Sequence, residues 1–303
     1  LQLGPNTSTP VRQQMLAGLI GQGISLSRTP AMHMAEAATQ GLQGLYRLLD
    51  TDTPRLQGKP LAEILNAAEL AGFDGLNITY PYKIEVIGLL DQLSPNAQAV
   101  GAVNTVVLRD GKRFGHNTDL WGFAQSFRQG LLPDAKLDNV LLLGAGGAGV
   151  AVAFALIECG VRHLSIFDAD HGRAQGLADQ ITRRFPDSQV TAITDIAQHV
   201  AASRPDGVVN ATPVGMAKLP GSAFPLDLLD ARMWVADVVY FPLETALLAA
   251  ARAKGCRVLP GSGMAVFQAV RAFELFTGRK ADPTRMKATF DAFDAKPVQR
   301  TKF

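Results

Sequence analysis

A lysine and an aspartate in the first half of the chain have the types and settings needed to move a proton. Lys83 ends Leu76-Asn77-Ile78-Thr79-Tyr80-Pro81-Tyr82-Lys83, which reads as a strand, a proline-set turn and a helix start. A lysine there can point into a cleft at the carboxyl end of the strand, where open α/β sheets place their ligands. Asn77 and Thr79 alternate along one strand face, so both can meet a polyhydroxylated ligand. The plain alternative is a solvated lysine at a helix start. Asp119 ends Gly115-His116-Asn117-Thr118-Asp119, ahead of an amphipathic stretch with apolar residues at 120, 123, 127 and 131. An aspartate in that place is expected to be the helix N-cap. Paired with Lys83, the same carboxylate makes an acid–base dyad for a hydroxyl proton.

A second stretch binds rather than reacts. Gly144-Ala145-Gly146-Gly147-Ala148-Gly149 follows an apolar run at 140–143 and opens a helical pattern that runs to residue 157. This is the strand–turn–helix setting that a dinucleotide-binding glycine fingerprint requires. Gly144 allows the tight turn, Gly146 lets the backbone approach a pyrophosphate, and Gly149 lets the helix pack close to the strand. Gly147 and Ala148 then present free N–H groups and the positive end of the helix dipole to the phosphates. Asp168 stands after a second strand at 164–167, at the spacing of about 20 residues expected of the acid that binds the adenosine ribose. Its charge would repel a 2′-phosphate.

These residues need elements to hold them. Strands are expected at 16–20, 46–49 and 75–79, helices at 30–40, 61–71 and 120–131. A hairpin at 103–108 and 113–116 turns at Asp110-Gly111. Residues 133–137 read as a connector. From residue 139 the pattern becomes a regular βα alternation, with strands near 140–143, 164–167, 189–193, 207–210, 234–239 and 257–259. Alternation of this kind predicts a doubly wound, Rossmann-type sheet. Helices at 264–277 and 283–293 follow. The fold class is α/β. An N-terminal α/β substrate domain covers 1–119, a dinucleotide-binding domain covers 120–261, and 262–303 packs back on the first domain.

Three more stretches fall where loops after such strands face a bound nucleotide. They are Thr212-Pro213 after Asn210-Ala211, Val238 in Asp237-Val238-Val239-Tyr240, and Gly261 with Met264 at the start of the return helix. Gln268 lies one turn further along a face that is otherwise apolar; a satisfied buried glutamine is an equally ordinary reading. Asn104, in Gly101-Ala102-Val103-Asn104-Thr105, places an amide at a strand start.

Bulk composition narrows the class. The chain has 303 residues, 47% of them hydrophobic and 18% charged, which suits a globular enzyme with substantial cores. A net charge of +2 gives no reason to expect nucleic acid or an anionic membrane as partner. Residues 140–157 carry no charge, but the glycine turn inside them argues against a spanning helix. Residues 1–10 are polar, are expected to be mobile and carry no signal-peptide pattern; Leu1 in place of Met reads as a trimmed end. Cys159 and Cys256 form no metal motif and fit a reducing, cytoplasmic setting. The five histidines form no i, i+4 pair, so no metal site is expected. No GxSxG or Walker pattern appears, which removes support for nucleophilic hydrolysis and ATP chemistry.

Taken together the stretches resemble the shikimate dehydrogenase family, over about residues 19–290. The resemblance rests on Ser27-Arg28-Thr29-Pro30-Ala31-Met32-His33, Asn77-Ile78-Thr79-Tyr80-Pro81-Tyr82-Lys83, Gly101-Ala102-Val103-Asn104-Thr105, Gly115-His116-Asn117-Thr118-Asp119, the glycine fingerprint, Asn210-Ala211-Thr212-Pro213-Val214-Gly215-Met216, Asp237-Val238-Val239-Tyr240 and Gly263-Met264 with Gln268. It implies a two-domain enzyme that oxidises one ring hydroxyl of shikimate, or a close relative, in the cleft between its domains. It implies Lys83 and Asp119 as the catalytic pair. Ser27 and Thr29 would hold the substrate carboxylate; Asn77, Thr79, Asn104 and Gln268 would hold the ring hydroxyls.

Two departures from the family pattern sharpen the expectation. Biosynthetic members carry Ser-x-Ser before the proline, whereas this chain has Thr29 second and Leu26 ahead of Ser27. The added methyl group bears on the choice between shikimate and quinate, and the run is most similar to the quinate/shikimate dehydrogenase branch and related paralogs. NADP-using members place Asn-Arg-Thr where this chain has Asp168-Ala169-Asp170, so the arginine clamp for a 2′-phosphate is missing. The cofactor is therefore expected to be NAD rather than NADP, with Arg173 nearby as the counter-argument. The expected partner is a small-molecule substrate, with the chain a monomer or homodimer. Rival readings are an NADP-using shikimate dehydrogenase, another polyol or hydroxy-acid dehydrogenase, an aminoshikimate- or quinate-type paralog of secondary metabolism, and a non-catalytic binding protein.

Overall fold

The computed structural model describes residues 13–132 and 134–293. The expectations for residues 1–10, for residue 133 of the connector and for 294–303 of the return segment lie outside the described residues. The first half builds a mixed sheet. Strand β1 (Gln14–Gly21) leads to α1 (Thr29–Thr39), which has Pro30 in its first turn. Then come β2 (Gln43–Asp50), α2 (Leu61–Leu70) and β3 (Gly75–Ile78). A turn through Lys83 and a 3-10 helix (Glu85–Leu89) follow. After them come a two-residue β4 (Gln92–Leu93) and α3 (Pro95–Val100), capped by the Ser94 side chain. Neither short element is expected from sequence, because so few residues show no periodicity. The hairpin of β5 (Thr105–Arg109) and β6 (Lys112–His116) turns at Asp110-Gly111, both with positive φ as a two-residue type I′ turn requires.

The strand order is β2-β1-β3-β5-β6-β4. β1 runs parallel to both β2 and β3, and β5 antiparallel to both β3 and β6.

Helix α4 (Thr118–Gly130) crosses to the second half. Its N-cap is Asn117, whose side chain accepts from the Leu120 N–H at 3.1 Å. This corrects the expectation that Asp119 caps the helix. Of three consecutive residues able to cap, the first takes the role, and Asp119 becomes the second helical residue with its carboxylate free for another partner. The second half then runs β7 (Asn139–Leu143), α5 (Gly147–Glu158), β8 (His163–Phe167), α6 (His171–Arg184), β9 (Gln189–Ile193), α7 (Ile196–Ser203), β10 (Gly207–Asn210), β11 (Trp234–Asp237), α8 (Ala246–Ala253) and β12 (Arg257–Leu259). All six strands are parallel, in the order β12-β11-β10-β7-β8-β9, with the direction of winding reversing between β7 and β10. β11 stops at Asp237, two residues short of the expected 239. β12 pairs only as far as Ala236, and the Val239 N–H turns back to the Asp237 side chain.

Two helices join the halves. Helix α9 (Ser262–Thr277) puts Met264 into the core around β7 and α5, and Phe273 and Phe276 into the core around β1. Burial of each phenylalanine contributes roughly 1.5–3 kcal/mol, so α9 is fastened at both ends. α4 packs along α9 at close range. A Cβ on Gly122 would lie 2.8 Å from the Gln268 backbone nitrogen, and one on Gly263 would collide with Ser126. Helix α10 (Pro283–Asp291) is tied to α1 by Arg285, which donates to the buried Glu36 carboxylate at 2.7 and 3.0 Å. Among the described residues no helix is long and apolar enough to cross a membrane, and no cluster of His, Cys, Asp and Glu could hold a metal ion.

Candidate active site

Lys83 Nζ donates to Asp119 Oδ2 at 2.6 Å, joining residues 36 apart in sequence. Both side chains are partly buried, at 24% and 11% exposure, so they remain reachable from solvent. One segment, residues 102–104, holds both partners in place. The Val103 N–H donates to the Lys83 carbonyl at 2.8 Å and fixes the turn after β3. The Ala102 carbonyl accepts from Asn117 Nδ2 at 3.0 Å, and Asn104 Oδ1 accepts from the Thr118 N–H at 2.7 Å. The start of α4 is thereby docked onto the segment before β5 that also anchors Lys83. Burial raises the pKa of the Tyr240 phenol, in the loop after β11, while Lys83 pulls it down and Asp119 pushes it up, which brings that loop near the dyad.

The expected substrate-binding residues fall into two groups. Asn77 and Asn104 are 4% and 3% exposed and already engaged. Asn77 Oδ1 accepts from the Tyr46 hydroxyl at 2.8 Å, and its Nδ2 donates to Thr105 Oγ1 at 3.0 Å and the Asn104 carbonyl at 3.3 Å. Asn104 Nδ2 donates to Thr118 Oγ1 at 2.9 Å. The two amides thus form a buried polar network beneath the dyad. Thr79, Ser27, Thr29 and Gln268 are half-buried and more open. The Thr79 methyl packs on Gly21; Ser27 Oγ accepts from the Thr29 N–H at 3.3 Å; Gln268 Nε2 donates to its own helix at Ala265, 3.0 Å. Gln268 comes beside the start of α4 through the Gly122 contact. Between Ser27 and Thr29, the buried Arg28 stacks 4.6 Å from the Phe290 ring, and Phe290 meets Tyr240 edge-on at 6.0 Å. That chain of contacts links the start of α1 to the loop that faces the dyad.

The expected nucleotide-binding residues line the carboxyl edge of the second sheet. Gly144 has φ +97°, and a Cβ on it would lie 3.0 Å from Ala211. A Cβ on Gly149 would collide with the Gly144 carbonyl oxygen, so the turn and helix fit only without side chains there. Gly146 and Gly147 face open space, leaving the N–H groups at the start of α5 accessible. That space is a cradle any side chain would fill, and it fits a pyrophosphate. Asp168 Oδ2 accepts from the Ala145 N–H at 2.7 Å, and Oδ1 from the Asp170 N–H at 2.9 Å. Arg173, in the first turn of α6, is ion-paired with Asp170 at 3.4 Å and exposed. Thr212 and Pro213 follow β10 beside Gly144, and a Cβ on Gly261 would lie 2.5 Å from the Val238 carbonyl oxygen, so the loops after β11 and β12 touch. Met264 is buried under the first turn of α9.

Sequence reasoning missed Asn117, Thr118, Thr105 and Tyr46 as the residues that hold the others. The run Asn117-Thr118-Asp119 offered a signal for the cap; nothing in the sequence pairs Tyr46 with Asn77.

Comparison with known proteins gives the family. A model described as the shikimate dehydrogenase substrate binding domain matches residues 19–106, and one described as the shikimate 5′-dehydrogenase C-terminal domain matches 261–289. The chain is 52% identical to the quinate/shikimate dehydrogenase (NAD(+)) of Corynebacterium efficiens, covering 91% of this chain and 97% of that one. It is 51% identical to a shikimate dehydrogenase (NADP(+)) of an Arthrobacter species, covering 92% and 94%. Its fold superposes on quinate dehydrogenase from Corynebacterium glutamicum in complex with NAD with a TM-score of 0.88, at 51% identity over 92% of this chain and 99% of that one. Motifs, two-sheet architecture and whole-length identity agree, and the chain belongs to the shikimate dehydrogenase family.

Proposed function

We propose that this chain oxidises the ring hydroxyl of shikimate, and of quinate, to the 3-dehydro ketone with NAD+ as hydride acceptor. The observation that carries the chemistry is the 2.6 Å bond from Lys83 to Asp119 in a member of this family. When bound, the nicotinamide ring supplies the acceptor for the hydride leaving the ring carbon. In this reading Lys83 donates to Asp119 and keeps further N–H groups for the substrate. Its remaining N–H groups stabilise charge on the reacting oxygen while the hydroxyl proton passes to the Asp119 carboxylate. Ser27 and Thr29 bind the substrate carboxylate, and Thr79 and Gln268 meet ring hydroxyls. Asn77 and Asn104 contribute through their network, which fixes the floor of the site. Residues 1–119 with 262–303 act as the substrate half and 120–261 as the cofactor half, in keeping with the division between the two sheets.

NAD+ is favoured over NADP+ by Asp168, whose two oxygens are held by backbone N–H groups beside the glycine turn. An approaching 2′-phosphate meets that fixed carboxylate, and Arg173 is engaged by Asp170. Some relatives are named for NADP(+), which keeps the second cofactor worth testing. Both cysteines are free thiols, in keeping with a cytoplasmic setting. The deciding experiment measures kcat/KM for shikimate and quinate, each with NAD+ and NADP+. The expected result is turnover of both substrates with NAD+ preferred; preference for NADP+, or turnover of neither substrate, overturns the reading.

A further inference from the structure

Asp237 is a buried carboxylate that the proton-transfer scheme does not use. It ends β11, in register with Asn210 at the end of β10, and the two residues are 2% and 1% exposed. Asp237 Oδ1 accepts from Asn210 Nδ2 at 2.9 Å and from the Val239 N–H at 3.0 Å, and Oδ2 accepts from Thr245 Oγ1 at 2.7 Å. Asn210 in turn gathers its own loop. Its Oδ1 accepts from the Thr212 N–H and hydroxyl at 3.1 and 2.7 Å, and its Nδ2 donates to the Val214 carbonyl at 3.0 Å. Thr245 Oγ1 also caps α8 through the Leu248 N–H. Burial pushes the Asp237 carboxyl up, and the three hydrogen bonds pull against that shift. No cation pairs with it among the described residues.

We propose that Asp237 is a positioning residue. Through Asn210 and Thr245 it sets the loops after β10 and β11 in the mutual placement that the nicotinamide half of the cofactor needs for hydride transfer. The proposal rests on the NAD+ reading above. In a parallel sheet wound this way a dinucleotide lies across the strand ends at the point where the order reverses, here between β7 and β10. Asp168 marks the adenosine side, so the loops after β10 and β11 border the nicotinamide side. Neither loop starts with a helix that would fix its path, and residues 211–225 contain none. Backbone bonds within residues 213–219 and from the Val238 N–H to the Asn210 carbonyl set part of that path, and the side-chain hydrogen bonds of Asn210, Asp237 and Thr245 set the rest. The carboxylate accepts from all three donors at once; in Asp237→Asn the new NH2 faces Thr245 Oγ1, which already accepts from the Leu248 N–H, so the hydroxyl must give up its donor role.

The test compares the wild-type protein with Asp237→Asn and Thr245→Val. For each, the dissociation constants of NAD+ and of ADP-ribose, which lacks nicotinamide, are measured with kcat and the melting temperature. Misplaced loops should lower kcat by about 10- to 100-fold and raise the NAD+ dissociation constant several-fold, with ADP-ribose affinity within about twofold of wild type. The proposal is overturned if kcat and the NAD+ to ADP-ribose ratio stay at wild-type values in both variants. It is equally overturned if ADP-ribose affinity and the melting temperature fall together with kcat in both, which a general structural role produces. Wild-type protein that binds NAD+ but turns over neither substrate would sink the functional reading alone, because the ratio of the two dissociation constants still decides the role of Asp237.

Discussion

The Ala145 backbone N–H donates to Asp168 Oδ2 at 2.7 Å, across 23 residues of sequence. The acid that follows β8 is therefore part of the glycine turn as well as a candidate ribose ligand. The second oxygen is held by the Asp170 N–H at 2.9 Å, so the carboxylate cannot swing away from a ligand at the adenosine end. Asp168→Ser removes the charge and the tie to the turn together. A hydrogen bond to a charged group contributes about 1.5–3 kcal/mol, so kcat/KM with NAD+ should fall roughly tenfold or more. The value with NADP+ should fall less or rise. Parallel assays with the two cofactors check this, and an unchanged ratio places the discrimination elsewhere.

Lys83→Met keeps the apolar stem and deletes the ammonium that donates to Asp119. Loss of acid–base chemistry at this level typically costs about 10²–10⁴ in rate, so kcat should drop by that order while KM for the substrate moves little. Asp119→Asn keeps the shape and removes the proton acceptor, and because Asn117 is the helix cap the stability lost should stay within about 1 kcal/mol, from the ion pair with Lys83 and the acid in the first turn of α4. Steady-state kinetics beside thermal melts distinguish the two effects. A change in KM alone for Lys83→Met would make it a binding residue.

Asn117 does two jobs that a sequence motif does not separate. It caps α4 and its Nδ2 holds the Ala102 carbonyl at 3.0 Å. Asn117→Ala should cost about 0.5–2 kcal/mol of stability, the usual range for losing a cap. Asn117→Asp keeps the capping oxygen and loses the Ala102 bond, and its stability should lie between the two. Urea unfolding of the three proteins tests this order, and equal midpoints for Asn117→Asp and Asn117→Ala would assign the whole effect to the Ala102 bond.

His33 gives the fold a built-in acid sensitivity. It is fully buried on α1 against Tyr46, Phe273 and Phe276, with neither ring nitrogen hydrogen-bonded, and burial lowers its pKa from 6.5 to about 3. The folded chain keeps this imidazole neutral where the unfolded chain protonates it. Stability from this group is therefore complete above pH 6.5 and is lost as pH falls toward about 3. The slope is at most about 1.4 kcal/mol per pH unit. His33→Leu should flatten the stability profile over that window; denaturant titrations at several pH values read it directly, and an unaltered slope would assign the acid sensitivity to other groups.

The second half of the fold was more legible than the first. Regular βα alternation from residue 139 carries its own phase. Strand ends and the glycine turn follow from short-range chemistry: an apolar run, residues that tolerate a left-handed or crowded backbone, then a helix start. β4 and α3 were not legible, because two residues and six residues leave no periodic signal and their place depends on pairing with β6. Asp119 shows the limit within a site. Three neighbouring residues can all cap a helix, and Asn117 is the one whose side chain also reaches the Ala102 carbonyl in the segment before β5.

By itself the sequence determined the chemistry available to this protein. The glycine spacing, the acid after β8, and the lysine and aspartate in their motif settings are local properties, and local properties survive without knowledge of the fold. Tertiary structure decided which of those groups meet. Lys83 and Asp119 pair because residues 102–104 hydrogen-bond to the Lys83 carbonyl on one side and to Asn117 and Thr118, just before Asp119, on the other. Asn77 and Asn104 are buried because Tyr46, Thr105 and Thr118 take up their polar atoms. Such contacts join segments far apart along the chain, and a buried polar group must find its partner wherever packing supplies one.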